Sequence, residues 1–436
     1  MNLEKSRTPA SLVIFPNRNF VDSNRPDANR GIRCRLVVAL ALGFAFLVSL
    51  SSTQAASMVA SGANNVVVSI YDELPNGMLI PLLNSSSPVN PPLQSNGNGL
   101  EFNLIDVVPG GMNPLALGGF QAAANYWSSQ FVDDITVNIE IGFSALDPGV
   151  LGQAGSSDGT LSYTGFRNAI IADATTADDA VAAANLPGGP SLDIYLNRTS
   201  NSPNGSGSPT PFVDNDGDIN NTTIRMSTAN AKALGVLAHN DPGLDAAITF
   251  STLFTWDFDP NNGIDALKQD FVGVAIHEIG HAMGFTSGVD ILDINSPGTG
   301  GPFPDDAFIY VKSLDVFRMS DDSETAGADI DWTADTRDKY FSIDGGTTNL
   351  TPGLGGGFST GKTHGDGQQA SHWKDNKSLG IMDPTAQPAG FVNVVTALDL
   401  QALDVIGWTP VPEPSSAVLF LMATVMSCGV RVRRRR

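Results

Sequence analysis

The run His277-Glu278-Ile279-Gly280-His281, with Gly284 three residues further on, constrains this chain more than any other feature. On an α-helix, residues four apart share a face, so both imidazoles can meet one ion while Glu278 reaches a water on it. The stretch from about Asp265 through Ile276 predicts the helix that carries them, with Asp265 near its start and Phe271, Val272 and Val274 as packing residues. Gly284 is the expected stop. The bland alternative is a chance motif on a solvated helix, with Glu278 an ordinary surface charge.

Two imidazoles do not make a catalytic centre. A catalytic zinc takes three protein ligands and keeps one position for a water, whose pKa it lowers to about 7. Of the five histidines, His239, His364 and His372 lie outside the motif. Six residues past His281, where a compact arrangement would place a third ligand, the chain has Ser287, a poor ligand for zinc. His372 is the better candidate, standing in Ser371-His372-Trp373-Lys374 ten residues before Met382. A methionine followed closely by Pro384 suits a tight turn beneath a metal site, its soft thioether filling an irregular space. Asp290 is the rival third ligand, since carboxylates also bind zinc. His239 and His364 read as loop or surface residues. Met382 as a plain core residue would leave the ligand assignment intact.

On these residues the chain resembles the metzincin-type zinc metalloproteases, and the late Ser-His-Trp segment with its methionine turn resembles the leishmanolysin-like layout. The resemblance implies His277, His281 and His372 as zinc ligands, Glu278 as general base, Gly284 as turn glycine and Met382 as the Met-turn residue. It also implies an insertion over residues 285–371 and, for the fold class, α+β: a two-lobed zincin with a twisted mixed sheet above the cleft and a helix-rich lower lobe. The cysteines of the leishmanolysin-like enzymes are missing, so the match covers the active-site framework alone. Bacterial metalloproteases with a Pro-Glu-Pro (PEP-CTERM) sorting tail are the closer likeness.

The tail itself is Val411-Pro412-Glu413-Pro414, an apolar stretch from Ala417 to Val430, then an arginine-rich end. That order resembles a sorting signal cleaved by an exosortase-type enzyme, with a membrane anchor, transmembrane or retained only until processing, as the alternative reading. At the other end, seven basic residues precede an apolar run from Leu36 to Leu50, read as a signal peptide over 1–56 cleaved after Ala55 or Ala56. The expectation is an exported protein of the cell envelope or exterior, with an N-terminal segment over 57–99, a peptidase unit over 100–410 and a sorting segment over 411–436. Cys34 and Cys428 fall in the two ends, leaving the body without cysteine. Setting aside the two ends, with those seven basic residues, the five of the arginine tail and the four acids Glu4, Asp22, Asp27 and Glu413, leaves 12 basic against 41 acidic side chains, a net charge near −29. Such a surface repels nucleic acid, so the expected partner is a protein or peptide substrate.

Many of the acids sit in polar turns. Asp214, Asp216, Asp218 and Asn220 offer oxygens at alternate positions that suit calcium, and Asp257, Asp259, Asn261 and Asp265 form a looser set; solvated turns are the other reading of both. Patterning predicts helices over Phe120 to Phe131, Thr176 to Ala184 and Val395 to Val405, a strand from Ile135 to Ile141, and loops over 185–221 and 343–371. Two further function classes stay open: a surface structural or adhesion protein with a closed metal site, and a zinc hydrolase of non-peptide substrates.

Overall fold

The computed structural model describes residues 71–73, 79–81, 99–296, 303–353 and 355–412. The expected signal peptide, most of the 57–99 segment and the tail from residue 413 lie outside these. The described chain is a mixed α+β fold with several small sheets and helices. Its largest sheet has four strands in the order Glu101–Asp106, Thr136–Ser144, Ala246–Ser251, Gly152–Ser156. The first two junctions are parallel and the last antiparallel, with Ile248 opposite both Ile141 and Ala154.

Helix Pro114–Gln130 connects the first two strands. Asn113 caps it by accepting the Leu115 N–H, and a proline at the first position suits a site where no N–H is needed. Its buried side, Phe120, Ala123, Ala124 and Trp127, faces the helix Phe271–Ala282, which carries the histidines. Phe271 stands in an aromatic cluster with Phe120, Phe250 and Trp256, at centroid distances of 5.0, 4.5 and 5.5 Å. The two helices approach so closely that a Cβ on Gly119 would come within 2.5 Å of the Phe271 ring.

The histidine helix starts later than the sequence predicts. Asp270 is its cap, accepting the Gly273 N–H at 2.9 Å, and Asp265 lies outside in a turn where its own N–H donates to Asp257. The residues between are drawn away from helix because Gln269 and Asp270 pair in parallel with Trp256 and Asp257. All twelve helical residues are buried, which excludes the solvated-helix alternative.

The predicted helices near 120–131, 176–184 and 395–405 appear as Pro114–Gln130, Ala177–Asn185 and Ala397–Asp404. Residues 185–221 are not all loop: Ile194–Leu196 and Phe212–Asp214 pair with each other, and Ile330–Asp331 joins them in parallel. Within residues 285–371, Ile330–Asp331 thus joins a sheet begun before the motif. The transmembrane expectation is corrected: among the described residues no helix is long and apolar enough to cross a membrane. Pro114–Gln130, at 17 residues, is short of the roughly 20 a bilayer asks for and carries Gln121, Asn125, Ser128, Ser129 and Gln130 in its second part.

Candidate metal centre

His277 and His281 project from one face of the buried helix, and His372 arrives from a loop 91 residues beyond His281. Each ring is held from behind by a backbone carbonyl. His277 Nδ1 bonds Ile381 O at 2.6 Å, His281 Nδ1 bonds Phe285 O at 2.7 Å, and His372 Nδ1 reaches Gln369 O at 3.3 Å. A carbonyl oxygen only accepts, so each Nδ1 carries the proton and each Nε2 presents a lone pair. These lone pairs converge, with His281 Nε2 2.9 Å from His277 Nε2 and 3.2 Å from His372 Nε2.

Three lone pairs at such separations repel one another unless a cation lies between them. In a tetrahedral site with metal–nitrogen bonds of about 2.0–2.1 Å, ligand nitrogens stand about 3.3 Å apart, close to what is seen. Burial, reinforced by the nearby His372, pushes His277 down to about 3, and burial with both neighbouring rings holds His281 well below the usual imidazole value. Both rings are therefore neutral at physiological pH and ready to ligate. Among the described residues, His277, His281 and His372 are the group of three or more His, Cys, Asp or Glu whose ligand atoms close to within 4.8 Å.

Local backbone features explain the ring placements. Gly284 adopts φ +117°, a left-handed conformation that ends the helix and turns Phe285 back to offer its carbonyl to His281. A Cβ there would also press on Asn230 and Ile406, each at 3.2 Å. The helix carbonyls near the site are satisfied from outside: Ile276 O by Trp127 Nε1, His281 O by Ser156 Oγ and Met283 O by Trp408 Nε1.

Met382 is fully buried, and its sulfur lies 2.6 Å from where a Cβ on Gly280 would stand. The residue just before the second histidine, Gly280, is thus a glycine because a thioether occupies that space. Gly280→Ala is expected to cost about 1–3 kcal/mol through overpacking, read as a lowered urea midpoint. Unchanged stability would show that Met382 swings away freely. Glu278 is also fully buried, with its Oε1 2.9 Å from a would-be Cβ on Gly152 of the marginal sheet strand.

Asp290 is not one of the converging groups. Its carboxylate accepts the Ala370 N–H at 2.7 Å, the Ser371 N–H at 3.1 Å and the Ser371 hydroxyl at 2.6 Å. It anchors the loop that delivers His372, and burial raises its pKa to about 7. Asp290→Ala is expected to lower divalent-ion affinity about 10–100-fold, as lost supporting contacts do, while leaving stoichiometric binding at saturation. Chelator competition reads this, and a complete loss of binding would restore Asp290 as a ligand.

Asp399 was not singled out by the sequence. It is buried on the helix Ala397–Asp404 and accepts from Ile381 N, Met382 N and Trp373 Nε1 at 2.9, 3.3 and 2.8 Å. Because Ile381 O holds His277, this carboxylate fixes both the methionine turn and one ring. Gly380 is required beside it, since a Cβ there would lie 2.1 Å from Asp399 Oδ2. The signal available in sequence was Thr396 three residues before Asp399, a capping pair that the structure forms.

The other candidates lie elsewhere. His239 is exposed, and His364 is half-buried with its ring against Ser296 O. In the acidic turn, Asp214 accepts the Asn220 amide at 2.7 Å, Asp216 accepts the Asp218 N–H and Asp218 caps a four-residue helix, bonds that close the turn on itself. Asp257 likewise accepts the N–H groups of Asp259 and Asp265, which hold its carboxyl below the usual range.

A scan against protein-family models, a search of curated proteins and a search of solved structures each return no match to this chain.

Proposed function

We propose that this chain is a zinc-dependent endopeptidase in which Glu278 is the general base. The observation that carries the reading is the convergence of three buried imidazole nitrogens, two of them on a helix that also carries the buried Glu278. An all-nitrogen set suits zinc rather than calcium, which takes oxygen ligands. Among the described residues no fourth His, Cys, Asp or Glu joins the three, as a closed structural site would require.

A zinc ion held there supplies Lewis acidity and brings a bound water's pKa to about 7. Glu278 would accept a proton from the attacking water and return it to the leaving nitrogen as the C–N bond breaks. The buried setting of Glu278 against Gly152 keeps its carboxylate from swinging into solvent. Ile381 O, itself fixed through Asp399, holds His277 in its orientation, so the chain presents that ring already arranged. The same reading extends to a two-lobed zincin arrangement, in which the strand Gly152–Ser156 and the methionine turn both pack on the histidine helix. The leader and Pro-Glu-Pro tail support export to the cell envelope with processing by an exosortase-type enzyme.

The test is metal content and casein cleavage by the purified full chain. One zinc per chain is expected, with activity lost to a chelator and regained with zinc. A folded, zinc-loaded chain that cleaves neither casein nor a mixed peptide library would sink the peptidase reading.

A further inference from the structure

The bonds that close the acidic turn over 214–220 leave oxygens beside it unanswered. Asn220 donates its amide to Asp214 Oδ2 at 2.7 Å, and Asn221 donates to the backbone carbonyls of Asp214 and Leu192 at 3.0 and 2.9 Å. Each of those partners only accepts, so both amides must turn their nitrogens that way, and flipping either group would set oxygen against oxygen. Asn220 Oδ1 and Asn221 Oδ1 are consequently buried with no hydrogen-bond partner, on residues 2% and 0% exposed. Buried polar oxygens in a native fold have a donor or an ion to answer them.

The charge around the Asn220 amide is of one sign. Burial raises the Asp214 carboxyl to about 6, and the acids that add to this are, in order, Asp305, Asp216 and Asp218. Asp218 in turn feels Asp216, Asp305 and Asp306. Asp305 comes from beyond the histidine helix and is itself buried. Asn201 holds it from both sides, donating its amide to Asp305 Oδ1 at 2.6 Å and accepting the Asp305 N–H at 3.1 Å. The helical turn Asp305–Ala307 packs on Ile219–Thr222, the short helix that carries both asparagines.

Calcium takes about six to eight oxygens, from carboxylates, amides and backbone carbonyls alike, and a twelve-residue calcium loop closes its shell with a glutamate at the last position. Counted from Asp214, that position is Arg225, so the turn lacks its closing carboxylate in sequence. Asp305 supplies one from another segment. Among the described residues only the three histidines bring three His, Cys, Asp or Glu ligand atoms to within 4.8 Å of one another, so the acids here need the amide oxygen to make a shell. We propose that Asp214, Asp218, Asp305 and the free amide oxygen of Asn220 form a calcium site that ties this turn to the segment following the histidine helix. The site is separate from the zinc centre and independent of the peptidase reading.

The experiment is equilibrium dialysis of the zinc-loaded full chain against radiolabelled Ca2+, with excess Mg2+ and salt at about 0.15 M to screen diffuse binding to exposed acids. One calcium per chain is expected, with a Kd of about 10⁻³ M or below, and a melting midpoint that rises with calcium concentration. Asp305→Asn and Asp218→Asn should each weaken binding at least about tenfold, since affinity follows the number of charged ligands. Asp259→Asn, in the other acidic turn, should change neither binding nor the calcium-dependent midpoint. Asparagine caps the Asn220 N–H as well as aspartate does, so Asp218→Asn keeps the turn and decides the matter should Asp305→Asn not fold. No stoichiometric binding by the wild type overturns the site. So does binding that survives both variants, or that Asp259→Asn weakens as much as Asp305→Asn, which is what a diffuse acidic surface would give. None of these outcomes depends on whether the chain cleaves peptides.

Discussion

Glu278→Gln is expected to lower kcat/KM for a peptide substrate about 10²–10⁴-fold, the usual worth of a positioned general base, while one zinc per chain stays bound. The variant is close to isosteric, so the contact with Gly152 survives and the loss belongs to the proton-accepting oxygen rather than to folding. Zinc content separates the two outcomes. Proteolysis at the wild-type rate with zinc retained would remove Glu278 from the mechanism and favour a metal that serves structure. Loss of zinc along with activity would mean that Glu278 supports the ligands instead of acting on water.

His372→Ala is the second large effect. Its ring closes the ligand triangle at 3.2 Å from His281 Nε2, so its removal should weaken zinc binding by more than the 10–100-fold of a lost supporting contact and abolish cleavage. Comparison with Asp290→Ala is informative because Asp290 holds the same loop without presenting an atom to the ion. Equal affinities for the two variants would deny His372 a direct role. Full zinc occupancy and activity in His372→Ala would leave the His277 and His281 pair to be completed by another residue.

How far the chain could be read depends on the range of each interaction. The pair His277 and His281, with Glu278 beside them, was legible because i,i+4 spacing is a property of one helix. The helix start was not, since Asp265 and Asp270 are both acceptable caps and the pairing of Gln269–Asp270 with Trp256–Asp257 chose between them. The capping pair Thr396 and Asp399 was legible as a helix start, but not as the support of Ile381 and Met382, which comes from a different segment. Gly280 and Gly152 look like ordinary glycines until the sulfur of Met382 and the carboxylate of Glu278 are seen in the space a Cβ would need.

The sequence alone determined the histidine pair on one helix face, the glutamate beside it, the glycine that ends the helix and the acidic character of the body, because each is a matter of local spacing or of counting. Only the tertiary structure decided that His372 joins the pair, that Asp290 anchors rather than ligates, and that Ile330–Asp331 completes a sheet begun before the motif. Those outcomes depend on which distant segments bury their surfaces together. A carboxylate next to two backbone N–H groups and one next to a ring nitrogen are written with the same letter.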